Sequence, residues 1–120
     1  MNSEKRYFEL TDNEKILLNS IEEIANHLKD DIDNPVSLSL YLWKMGIDDP
    51  QAKDKLVQST LKLIINSDNP LTLTKQDFAD EFKIISELFE TDNTNIIIYV
   101  LTWIGLNISP IAYAISQNIE

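Results

Sequence analysis

Residues 93–119 contain no Asp, Glu, Lys or Arg, and no other stretch limits the possible folds so strongly. All ten basic residues precede it, as do all of the twenty acids except Glu120. Its middle, Ile96 to Leu106, is almost wholly apolar. Such a segment is either the buried core of a small domain or a membrane element. A spanning helix needs about 20 mainly apolar residues, and Ile96 to Ile115 is long enough. Against that reading, Asn107, Ser109 and Pro110 interrupt the window, and proline breaks a helix interior. Ser109-Pro110 has the form of an N-cap followed by proline at the first helical position, and Gly105 and Asn107 suit a helix end. No Lys or Arg flanks the stretch to anchor it in a bilayer. The pattern therefore predicts two short helices, about 94–106 and 110–118, joined at a tight corner, with Thr94 or Asn95 as the first cap. Trp103 is expected to be buried.

The rest of the chain reads as helices that cover this core. Thr11 and Glu14 stand at capping-box distance, and Leu17, Ile21, Ile24 and Leu28 follow at helical spacing, which predicts a helix over about 12–29 with one buried face. Residues 1–10 form a polar lead-in that ends in Tyr7-Phe8, either extended or packed loosely on that helix. Asn34-Pro35 has the form of a second helix start, and Gly46 the form of its stop. The alternating serines 37 and 39 also permit a strand there. Asp48-Asp49-Pro50 opens a third helix to about residue 66. Thr74 and Asp77 open a fourth, in which Phe78, Phe82, Ile85 and Phe89 recur at four-three-four spacing as far as about residue 90. The expected architecture is one all-α domain spanning residues 1–120, with five or six short helices around the uncharged one. Asp33 to Ser39 echoes Asp68 to Thr74 at an offset of 35 residues, but the likeness ends outside those seven positions and reads as one turn chemistry used twice.

Composition narrows the chemistry. There are no cysteines, so neither disulfides nor thiolate metal sites can form. This fits a reducing cytoplasm, and the polar N-terminus does not look like a secretory signal. Two glycines leave little room for phosphate loops or nucleophile elbows. A net charge of −10 opposes direct nucleic-acid binding and favours a basic partner. The lone His27 lies near a helix carboxyl end, where the dipole favours it, and has no evident catalytic or metal partner. A calcium loop counted from Asp31 fits Asp33 at its third position but fails at Val36, where glycine is required. No catalytic, cofactor or metal residues are expected.

The remaining candidates are the acidic clusters Asp30-Asp31-Asp33 and Asp48-Asp49, with Trp43 between them. Acids before helix starts also serve as caps. As a binding feature, the clusters would flank a short helix about 15–20 Å apart, too far to share one ion but suited to a protein interface. The expected function is a small acidic binding protein, of the bacterial immunity or antitoxin kind, that neutralises a basic toxin enzyme by steered association. The alternatives are a phage-type acidic decoy that covers a nucleic-acid-binding surface, and a membrane-associated accessory protein. An enzyme is not expected.

Overall fold

The computed structural model describes residues 7–90 and 94–119, and among these the chain is helical with no strands. Six α-helices lie wholly within the described residues: α1 Asp12–His27, α2 Leu38–Lys44, α3 Ala52–Asn66, α4 Lys75–Phe82, α5 Thr94–Asn107 and α6 Pro110–Asn118. Two short 3₁₀ turns, Pro70–Thr72 and Glu87–Glu90, lie before and after α4. Residues 1–6 of the polar lead-in lie outside the described residues. Residues 91–93 do too; α5 begins at Thr94 and contains Asn95, so neither precedes it as its cap.

The uncharged stretch is the core. Ile96, Ile97, Val100, Leu101 and Ile104 of α5 are buried almost completely. Helices α2, α3, α4 and α6 all pack on α5. Phe78 and Phe82 of α4, Leu56 of α3 and Leu38 of α2 complete the same cluster. Along α3 the buried residues are Ala52, Leu56, Thr60 and Ile64, a four-residue repeat on one face of a helix. Trp103 is half-buried rather than buried, because its indole N–H reaches the Val36 carbonyl at the edge of the core (3.3 Å).

Helix ends follow local chemistry. The Thr11–Glu14 capping box closes reciprocally at 2.9 and 3.2 Å, and the Thr74–Asp77 box at 2.8 and 3.2 Å. Gly46 ends α2 with a positive φ of 96°. Other ends differ from the sequence expectation. Asn34 does not begin α2: its side-chain amide donates to the carbonyls of Leu28 and Lys29 and so closes the end of α1. Helix α2 starts three residues later, capped by Ser37, whose hydroxyl accepts from the Leu40 N–H at 3.2 Å. Helix α4 stops at Phe82 instead of running to residue 90. There the Ser86 hydroxyl accepts from the Leu88 N–H at 3.2 Å, a local bond that competes with the helical ladder. Phe89 still reaches the core through the following 3₁₀ turn, edge-on to Phe82 at 5.3 Å.

The α5–α6 corner turns at Ser109-Pro110, with the Ile108 and Ser109 N–H groups both donating to the Ile104 carbonyl. It depends on Gly105. A Cβ built on Gly105 would lie 2.4 Å from the backbone N and the Cβ of Tyr113. Gly105 is thus required by the close approach of α6 and is not a helix terminator, since α5 continues to Asn107. Because the obstructing atoms include backbone, relaxation is limited. We expect Gly105→Ala to destabilise the fold by about 3 kcal/mol or more, at the upper end of overpacking costs. Urea denaturation followed by circular dichroism would measure this, and a change below about 0.5 kcal/mol would show that the corner can open without strain.

Candidate protein-binding surface

The loop between α1 and α2 is clamped to α5. The Tyr99 hydroxyl donates to Asp30 Oδ1 at 2.7 Å, and the Val36 N–H donates to the same oxygen at 3.0 Å. Trp103 holds the Val36 carbonyl from the other side. The Tyr41 and Tyr99 rings stack at 3.8 Å and are nearly parallel, at 7°. Asp31 Oδ1 accepts from the Asp33 and Asn34 N–H groups at 2.9 and 2.8 Å, which makes a tight Asx turn. The result is an open recess of about 350 Å³ lined by Asp30, Asp31, Tyr41, Lys44, Asn95 and Tyr99 among others.

Lys44 also borders a second and larger recess. This groove, of about 620 Å³, runs between α1 and α2 and is lined by Tyr7, Phe8, Leu18, Glu22 and Trp43 as well as Lys44. Its aromatic wall is built locally. The Asn19 amide donates to the Tyr7 hydroxyl at 3.1 Å. The Tyr7 and Phe8 rings meet edge-on at 5.7 Å, and the Lys15 ammonium sits 5.6 and 5.7 Å from the two ring centres, a cation–π arrangement. The lead-in therefore folds down onto α1 at Tyr7, while Phe8 remains mostly exposed.

The six residues singled out from sequence divide three ways. Asp30 and Asp31 share the smaller recess and Trp43 lies in the groove, joined through Lys44. Asp33 is exposed on the turn beside them but lines neither recess. Asp48 and Asp49 lie past Gly46, apart from both recesses. Asp49 is occupied in opening α3: its carboxylate accepts from the Gln51 N–H and from the Lys55 ammonium, each at 2.8 Å. The Lys55 bond, then the Gln51 N–H, holds the Asp49 carboxyl below its ordinary value. His27 is exposed at the end of α1. No group of three or more metal-ligating side chains comes together among the described residues. Nor is any helix among them long and apolar enough to cross a membrane.

One feature reverses the sequence expectation. The apolar stripe of α1 is not buried: Leu17, Ile21, Ile24 and Leu28 are 63, 46, 59 and 51 % exposed. Ala25 is the one buried residue of the helix. Among the described residues no other helix packs closely along α1, and it does not flank α5. Periodicity reports that a helix has two faces, but not that its own chain covers the apolar one. The recess that Tyr41 and Lys44 form with the buried Tyr99 was not recognisable either, because their juxtaposition spans about 60 positions of chain and leaves no local spacing.

Comparison of the chain with known protein families, characterised proteins and solved structures gives no significant match.

The Tyr99–Asp30 bond has a titration consequence. The Tyr99 phenol is held far above the ordinary tyrosine value, first by burial, then by its hydrogen bond to Asp30 and the charge of that carboxylate. Its folded value is raised, so the neutral phenol stabilises the fold fully below the unfolded value. That contribution is lost as pH climbs past about 10. In wild type, Tyr99 should ionise only on alkaline unfolding. Tyr99→Phe should cost about 1–3 kcal/mol at neutral pH, the range for a bond to a charged acceptor, and should flatten the decline above pH 10. Chemical denaturation at pH 7 and at about pH 10.5 checks both; an unchanged alkaline decline in the variant would remove Tyr99 as its source.

Proposed function

We propose that this chain is a small acidic binding protein that neutralises a basic partner protein, most plainly an immunity or antitoxin-type inhibitor of a toxin enzyme. The observation that carries the reading is the pair of recesses joined at Lys44. One offers aromatic walls from Tyr7, Phe8 and Trp43, and the other offers the carboxylates of Asp30 and Asp31 beside stacked tyrosines. Interfaces concentrate binding energy in aromatic anchors set in pockets, with charge at the rim governing capture. A partner that places an apolar side chain in the groove and Lys or Arg over the Asp30–Asp33 turn would use both. The net charge of −10 adds long-range attraction toward a basic enzyme.

The turn suits this role because its shape does not depend on the partner. Asp31 Oδ1 and Asp30 Oδ1 are already engaged by backbone N–H groups and Tyr99, so the carboxylates are held in place before contact. Pre-ordering of this sort lowers the entropy lost on binding.

The test is a titration against the basic protein encoded beside this chain in its genome, with inhibition and association rate both read. We expect a complex tighter than about 100 nM whose association slows at least about tenfold between low salt and about 0.5 M salt. Trp43→Ala should weaken it at least about tenfold. Asp31→Asn retains the Oδ1 acceptor of the turn while removing its charge, and should slow association without altering the fold. Absence of a complex at micromolar concentration, or association indifferent to salt and to both variants, overturns the reading.

A further inference from the structure

We infer that the exposed stripe of α1 is a self-association surface that pairs with the same stripe of a second copy of this chain. Leu17, Ile21, Ile24 and Leu28 follow the four-three-four spacing of a two-helix seam, which is narrower than the face a helix normally turns to a globular core. All four are about half exposed or more, and among the described residues no helix packs closely along α1.

Charge selects the occupant. Helical periodicity places Leu18 and Ala25 along one border of the stripe and Asn13, Ser20 and His27 along the other. None of these is an acid. The charged side chains of the helix, Asp12, Lys15, Glu22 and Glu23, fall on the remaining arc, away from the seam. Glu14 borders the stripe at its amino end, but its carboxylate is turned back onto the Thr11 N–H. A surface made for a basic partner would carry flanking carboxylates, as the Asp30–Asp33 turn does. A surface made for an equally acidic copy must keep them away, because like charges facing each other across a helix pair repel. The bordering residues fit the second case, in a protein whose net charge is −10.

Area agrees with weak, reversible pairing. The four residues expose on the order of 400 Å² of apolar surface per copy, so a symmetric pair covers about 800 Å² before flanking atoms are counted, below the ~1,200 Å² of standard specific interfaces and in the range of weak, transient contacts. A two-fold pair uses the same patch on both copies and closes, so it leaves no stripe free for further growth. None of the four stripe residues lines either recess, so the pairing stands or falls separately from the inhibitory reading.

Sedimentation of the full chain across about 1–500 μM, with far-UV circular dichroism as a folding check, tests this. Wild type should move from 13.8 kDa toward twice that mass as concentration rises. Ile21→Glu, at the middle of the stripe, should remain monomeric throughout and keep wild-type helicity, because the position is exposed. Ile84→Glu, at another exposed isoleucine away from α1, should dimerise like wild type. If Ile21→Glu disturbs helicity, Ile24→Ser replaces it, with dimerisation weakened at least about tenfold as the expected outcome. A wild-type chain that stays monomeric across the range overturns the inference, as does a dimer that neither stripe variant weakens. Loss of basic-partner binding in Ile21→Glu, with wild type monomeric, would assign the stripe to that partner and overturn self-pairing.

Discussion

Burial of one uncharged helix underlies everything else in this protein. Helix α5 is apolar around nearly its whole circumference, so it has no face to offer water and must be enclosed. Four helices do this, and each contributes a stripe of its own: phenylalanines from α4, leucines from α2, a four-residue repeat from α3, and Ala112 with Ile115 from α6. The α5–α6 corner is the tightest point of the enclosure, where Gly105 allows the backbone of Tyr113 to come closer than any side chain would permit. The core also retains two polar atoms with no hydrogen-bond partner among the described residues, the hydroxyls of Thr60 and Thr102.

The proposed binding surface is a by-product of how that core is closed. The connection from α1 to α2 crosses the edge of α5, and Tyr99 and Trp103, the polar-tipped residues of an otherwise apolar helix, hold it there. Pinning Asp30 from below fixes the turn that carries Asp31 and Asp33, and the same crossing positions α2 so that Trp43 and Lys44 face α1. Fold and surface thus share residues. Asp30 joins them most directly, since its Oδ1 secures the loop and the residue lines the recess.

Much of this was legible in the sequence where the signal was local. The two capping boxes, the Ser109-Pro110 corner and the Gly46 stop each depend on side chains within a few positions, and each forms at the expected place. What was not legible required knowledge of distant chain. Gly105 resembles a helix stop until Tyr113 is set against it. Asn34 resembles the start of α2 until its amide is seen on the carbonyls of Leu28 and Lys29. The four-three-four run of α4 carries on as a pattern across a backbone break at Ser86, because Phe89 returns to the core by another route. The α1 stripe was visible as a pattern, yet a pattern states that a face is apolar without stating what covers it. Of the proposed binding surface, Trp43 and the Asp30–Asp31 pair stand out in the sequence as an aromatic and an acidic cluster flanking a short helix. Their link through Lys44 does not.

The separation of α1 from the bundle has one more consequence. Among the described residues its tether includes Ala25 and the bonds from Asn34, neither of which belongs to the α5 core. The cooperative unit that holds α5 together can therefore survive while α1 unzips, so the amides of α1 would exchange with solvent through a local opening and those of α5 only through global unfolding. Any molecule that settles on α1 would then register as protection of this helix alone, with the melting of the rest of the protein nearly unmoved.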